Sequence, residues 1–142
     1  MLKHIDTCIS PSLLKVLMEM GHGDEIVLAD ANFPANSHTY NCIRLDGNDL
    51  ETVLKGVTKL IPLDTYVDCP VILMMHGSEI ERPIIWDSYE KIITAANEPY
   101  EVMYLNRHAF YERAKKAYAI VATSDTQLYA NIILKKGVIF KE

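Results

Sequence analysis

The sequence predicts an α/β fold, a single domain with a largely parallel sheet and helices on both faces, and three observations predict it. Short apolar runs recur along the chain: EIVLA (25–29), PVILMM (70–75), EVMYL (101–105), AYAIVAT (117–123) and NIILKKG (131–137). Runs with little polar alternation suit strands covered on both faces, as parallel strands are. Segments with apolar residues at helical spacing alternate with these runs, which is the pattern of helices packed over a sheet. The length of 142 residues suits one domain and is enough for a proper core. One domain over 1–142 is therefore expected, with no repeat, low-complexity tract or internal boundary.

The elements follow in order. Ser10 can cap a first helix that Pro11 begins, because a missing N–H costs nothing in the first turn. Leu13, Leu14, Leu17, Met18 and Met20 give it a broad apolar stripe, and Gly21 supplies its stop. After strand 25–29, residues 31–48 (ANFPANSHTYNCIRLDGN) read as a long loop with one short strand around 42–45. A loop of that length in a small domain is often functional. A helix is expected over 49–60, with Leu50, Val53, Leu54, Val57 and Leu60 on one side. Strand 70–75 precedes a helix over 86–96 that turns Tyr89, Ile92, Ile93 and Ala96 inward. After strand 101–105, Asn106 caps a helix from 107 to about 116, and strands 117–123 and 131–137 complete the sheet.

Composition excludes several classes of function. The formal net charge of −5 disfavours a nucleic-acid or anionic-membrane surface. No run approaches the ~18 apolar residues of a membrane span. The start, MLKHIDTCIS, lacks a signal peptide's apolar stretch, so a cytoplasmic place is expected. Cys8, Cys42 and Cys69 are odd in number, widely spaced and without C-x-x-C, and read as free thiols. His4, His38, His76 and His108 show no metal-ligand spacing, so no metal site is expected. MMHGSE (74–79) matches neither glycine-rich phosphate loop. FYERAKKAY (110–118) reads as the solvated face of an amphipathic helix rather than a nucleic-acid surface.

In α/β sheets, sites gather beyond the carboxyl ends of the strands. Asp30 follows the first strand there. Asn106, Arg107 and His108 follow strand 101–105, Thr123 to Asp125 follow strand 117–123, and Tyr129 and Asn131 lie between the last two strands. Each has a structural reading as well. Asp30 can form a turn, Arg107 can pair with Glu101 or Glu112, and Tyr129 and Asn131 can be turn residues. An arginine at a helix start opposes the dipole, and this conflict favours a ligand or partner contact. The stretch EMGHGDEIVLAD (19–30) adds His22, between two glycines at a helix end. It can cap the helix's last carbonyls. It can also act as a general acid–base group, since unperturbed histidine titrates near neutrality. Its flanking glycines then let a ligand approach the backbone.

Three segments carry more than pattern: ISPSLLKVLMEMGHGDEIVLADANFPANS (9–37), NRHAFYERAKKAYAIVATSD (106–125) and YANIILKKGV (129–138). Together they resemble the L-fucose mutarotase / D-ribose pyranase family. The second segment is similar to its fucose branch, and the third to a C-terminal signature of both branches. The resemblance spans nearly the whole chain in order, specific at both ends and weak from about 46 to 100. It implies a cofactor-free isomerase that interconverts the α and β anomers of free L-fucose by acid–base ring opening and reclosure. Interconversion of pyranose and furanose forms of D-ribose, and sugar binding without catalysis, are the alternatives. The M-G-H-G-D match places the family's catalytic histidine on His22, and the A-D-A match its ligand-binding aspartate on Asp30. The fucose branch's arginine falls on Arg107, and its tyrosine and asparagine on Tyr129 and Asn131 in Y-A-N. Family members assemble as rings, commonly decamers, though dimers also occur, with sites near subunit contacts, which implies a homo-oligomer here. The resemblance calls for no cofactor, and the chemistry it implies needs no metal.

The chemistry suits these residues. A base takes the proton of the anomeric hydroxyl, an acid protonates the ring oxygen, the aldehyde rotates and the ring recloses. No electrons leave the sugar. His22 can move protons in both directions, with Tyr129 as candidate second carrier; Arg107 can only donate hydrogen bonds, and Asn131 can bond two neighbouring hydroxyls. Asp30 can orient the imidazole or hold a sugar hydroxyl. His22 and Asp30 are expected at the same edge of the sheet.

Overall fold

Local chemistry starts three of the five helices where the sequence predicts. In the computed structural model, which describes residues 1–141, the Ser10 hydroxyl accepts the Leu13 N–H at 3.1 Å and opens α1 (Pro11–Glu19). The Asp49 carboxylate accepts the Thr52 N–H at 2.7 Å and opens α3 (Leu50–Thr58). The Asn106 side chain accepts the Ala109 N–H at 2.9 Å and opens α5 (Arg107–Lys115). Between them stand β1 (Glu25–Ala29), the short α2 (Ala35–His38), β2 (Cys42–Arg44), β3 (Val71–Met74), α4 (Ile85–Ala95) and β4 (Val102–Leu105). β5 (Ala119–Ala122) and β6 (Ile132–Lys135) follow α5.

The six strands form one sheet in the order β2-β5-β1-β6-β3-β4. β2, β5 and β1 are mutually parallel, as are β3 and β4. β6 alone runs against its neighbours, with Leu28 and Leu73 both paired to Ile132. The sheet is thus mostly parallel, with helices on both faces as expected. Side chains alternate across it. Ile26 and Leu28 pack with Leu13, Leu17, Leu54, Tyr89 and Ile93 from α1, α3 and α4. Val27 and Ala29 pack with Phe33, Ala35, Phe110 and Ala114 on the α2 and α5 face.

Four details depart from the sequence reading. Met18 is 78% exposed, and Val16 takes its place in the stripe. Gly21 does not stop α1: Met20 leaves the helix in an extended conformation, and the left-handed residue of the turn is Gly23, at φ 84°. The 31–48 loop contains α2 besides its strand. β4 is an edge strand and only partly buried.

Phe110 is fully buried and meets Phe33 edge-on at 6.2 Å, seating α5 against the sheet. Phe110→Ala should cost about 3–5 kcal/mol in urea unfolding. A cost below about 1 kcal/mol would show that α5 is held by something else.

Candidate active site

At the end where the parallel strands leave the sheet, β6 begins. Asp30 and Asn131 therefore meet across β1 and β6. They bond reciprocally: the Asp30 N–H donates to Asn131 Oδ1 at 2.8 Å, and Asn131 Nδ2 donates to Asp30 Oδ2 at 3.0 Å. Asp30 Oδ1 accepts the Asn32 N–H at 2.9 Å. Both side chains are buried, at 8% and 5% exposure. Burial pushes the Asp30 carboxyl above the usual carboxylate range, while the N–H groups of Asn32 and Phe33 and the Asn131 amide pull the other way. Thr123 and Asp125 brace this turn rather than face a ligand. Thr123 Oγ1 donates to Ala29 O at 2.8 Å, Ala31 N–H donates to Asp125 O at 2.7 Å, and the Asp125 carboxylate accepts the Leu50 N–H at 3.0 Å.

Tyr129 sits beside this pair with φ 58°, a left-handed conformation unusual for an aromatic residue. The Trp86 indole holds it there by donating to Tyr129 O at 2.9 Å, and the Tyr89 hydroxyl donates to Ala130 O. Burial raises the Tyr89 phenol far above its ordinary range, so it stays a donor. Arg107 opens α5 just beyond β4, at the same end of the sheet, and is exposed. Glu112 pairs instead with Lys115 at 2.8 Å, so the structural reading of Arg107 as its partner does not hold. His76, which follows β3, packs against Trp86 at 5.4 Å and edge-on against Tyr129 at 6.3 Å. The sequence carried no signal for that contact beyond a histidine after a strand.

His22 lies elsewhere. It precedes β1 whereas Asp30 follows it, so the five residues of the strand, at about 3.3 Å each, lie between them and put them at opposite ends of the sheet. The expectation of one shared edge is overturned, because a strand between two residues separates them by its own length. His22 does not cap α1 either. Lys136 takes that role, its Nζ donating to Leu17 O at 2.8 Å and Met20 O at 2.6 Å. The half-exposed imidazole instead has Nε2 3.1 Å from Oδ1 of Asp64, which is 2% exposed, and its ring lies 5.1 Å from Tyr66. A carboxylate accepts, so Nε2 carries the hydrogen and Nδ1 is the free lone pair. Gly137 makes this possible. A Cβ there would collide with the Leu63 carbonyl, so only glycine lets the segment carrying Asp64 come so close. Asp64 was not foreseen from the sequence.

Of the five expected site residues, one chain thus brings Asp30, Tyr129, Asn131 and Arg107 to one end and leaves His22 at the other. Among the described residues, no three His, Cys, Asp or Glu side chains converge as a metal-binding group.

With this geometry in view, comparison with known proteins is informative. The model of the RbsD / FucU transport protein family matches residues 3–139. An L-fucose mutarotase of Histophilus somni is 48% identical, the match covering 97% of each chain. The crystal structure of a fucose mutarotase from Streptococcus pneumoniae in complex with L-fucose superposes with a TM-score of 0.93 at 53% identity, covering 98% of this chain and all of that one. Bacillus subtilis RbsD complexed with D-ribose superposes with a TM-score of 0.76 at 26% identity, covering 99% of this chain and all of that one.

The buried Asp30 has a measurable signature. Its folded form keeps the proton to higher pH than the unfolded chain, so its ionisation weakens folding as pH rises from about 4 through the raised value. Asp30→Asn has no such group. Over that window the stability difference, followed by urea midpoints at stepped pH, should move in the variant's favour. A pH-independent difference would contradict the assigned shift.

Proposed function

The chain belongs to the RbsD / FucU transport protein family, and we propose that it is an isomerase that interconverts the α and β anomers of free L-fucose. One observation carries this reading. A row of polar side chains stands at one end of the sheet, in a chain that superposes at 0.93 on a fucose mutarotase holding L-fucose. The weaker likeness to the ribose-bound relative makes D-ribose the second substrate to test.

His22 is the proton carrier in this proposal. Its free Nδ1 takes the proton of the anomeric hydroxyl as the bond from the anomeric carbon to the ring oxygen breaks. The ring oxygen receives a proton from Tyr129 or from the imidazolium. Asp64, bonded to Nε2, keeps the tautomer fixed and stabilises the imidazolium while it lasts. Asp30 and Asn131 hold sugar hydroxyls, and Arg107 donates to oxygen that gains charge. Rotation about the open chain and reclosure by the reverse transfers complete the exchange.

Because His22 and the row lie at opposite ends of one chain, we place the reaction at a contact between copies, His22 of one serving the row of the next. A ring-shaped homo-oligomer, a decamer in the form expected of the family, supplies that contact. Three free cysteines support a reducing compartment, the cytoplasm. No helix among the described residues is long and apolar enough to cross a membrane.

Exchange NMR on equilibrated L-fucose should show protein-dependent cross-peaks between the anomeric signals, weaker with D-ribose. Binding without added exchange would leave a sugar-binding module. His22→Ala should slow exchange by about 10²–10⁴-fold, and full activity in that folded variant would sink the assignment. Subunit sharing has its own test. Rings co-assembled in equal parts from His22→Ala and Arg107→Ala chains should recover about a quarter of parental activity, since random mixing leaves that share of contacts with both native residues. No recovery would place each site within one chain.

A further inference from the structure

The sheet order β1-β6-β3-β4 lines up four strands whose ends meet on the site side. Asp30 leaves β1, Tyr129 and Asn131 enter β6, and Arg107 follows β4. β3 stands between β6 and β4, so whatever follows it lies in the middle of the row. Its continuation is held to β4 by the Met75 N–H, which donates to Leu105 O at 2.7 Å, and the next residue is His76.

His76 is fixed by its surroundings. Its ring packs against both Trp86 and Tyr129, and Trp86 is itself bonded to Tyr129 O. His76 Nδ1 is 2.9 Å from Gly77 O. A carbonyl only accepts, so Nδ1 carries the hydrogen and Nε2 is an uncommitted acceptor. That fills a need in the row. A monosaccharide offers a donor at every hydroxyl, yet Arg107 can only donate, and the row's charged acceptor, Asp30, stands at the β1 end, away from β3 and β4.

We propose that His76 is a substrate-contacting residue, its Nε2 accepting a hydrogen bond from a hydroxyl of the bound monosaccharide between the groups met by Tyr129 and Arg107. This rests on the reading of the row as a monosaccharide site.

Long-range ¹H–¹⁵N NMR of the histidine side chains tests it directly. His76, assigned from the signals missing in His76→Gln, should show the Nδ1–H tautomer, and added L-fucose should move its Nε2 resonance saturably. His76→Phe keeps an aromatic ring against Trp86 and Tyr129 but lacks the acceptor. It should raise the KM for L-fucose about 3- to 10-fold, the loss of one neutral hydrogen bond, with kcat little changed. His76→Gln, which keeps an acceptor oxygen, should restore much of the affinity. An Nε2 resonance that stays in place at saturating fucose, or a His76→Phe protein with parental KM, overturns the proposal and leaves the mutarotase reading standing. Absence of fucose exchange in the parent protein overturns that reading instead, and the Nε2 titration then still decides whether His76 meets the sugar.

Discussion

One strand running against its neighbours organises both ends of this molecule. Had β6 been parallel, its first residues would lie at the far end of the sheet from Asp30. Reversed, it begins where the parallel strands finish, so Tyr129, Ala130 and Asn131 arrive among the outgoing loops of β1 and β3. The Asp30–Asn131 pair is the immediate product of that reversal. The other end of β6 is equally constrained. There Lys136 closes the carbonyls of α1, the Lys135 carbonyl accepts the Asp64 N–H at 3.0 Å, and Gly137 admits the Leu63 backbone. His22 finds its carboxylate partner only because that end is packed so tightly.

The end that holds Asp30 and Tyr129 carries groups that folding alone does not favour. A buried carboxylate loses its hydration, and the amide and N–H groups around Asp30 offset that loss only in part, so its proton is held more tightly than usual. Tyr129 in the left-handed region costs on the order of 1–3 kcal/mol, and persists because Trp86 bonds its own carbonyl and Tyr89 bonds the next one, of Ala130. Desolvation at Asp30 and strain at Tyr129, side by side at one end of a largely apolar sheet, mark a site more firmly than either residue alone.

Three helix starts were legible because they are local. Ser10 with Pro11, Asp49 and Asn106 each satisfy N–H groups within three residues, and sequence spacing records that directly. The apolar runs marked every strand of the sheet except the short β2, whose place was foreseen inside the loop. Strand order and the reversed direction of β6 were not legible, since Ile132 to Leu134 would bury equally well facing either way. This explains why Asp30 and Asn131 were found as residues but not as a bonded pair. It also explains the misplacement of His22. Closeness along EMGHGDEIVLAD suggested closeness in space, yet the apolar core of that same stretch is the strand that drives its two ends apart. Asp64 and His76 lacked any local signal, because what gives each meaning is a contact with a distant segment.

On the proposed reading, a chain with its proton carrier His22 at one end of the sheet and its sugar-holding row at the other cannot close a site on itself. Two such chains cannot satisfy each other symmetrically unless both of their ends meet at once. Head-to-tail contact is the simpler geometry: each copy gives its His22 end to one neighbour and receives another at its row. Such a contact is heterologous and leaves an unused half-site at each end of an open row of subunits. Closing into a ring removes both. On the proposed reading, the ring is then a consequence of where β1 puts His22 and Asp30, and every subunit added to it contributes one complete site.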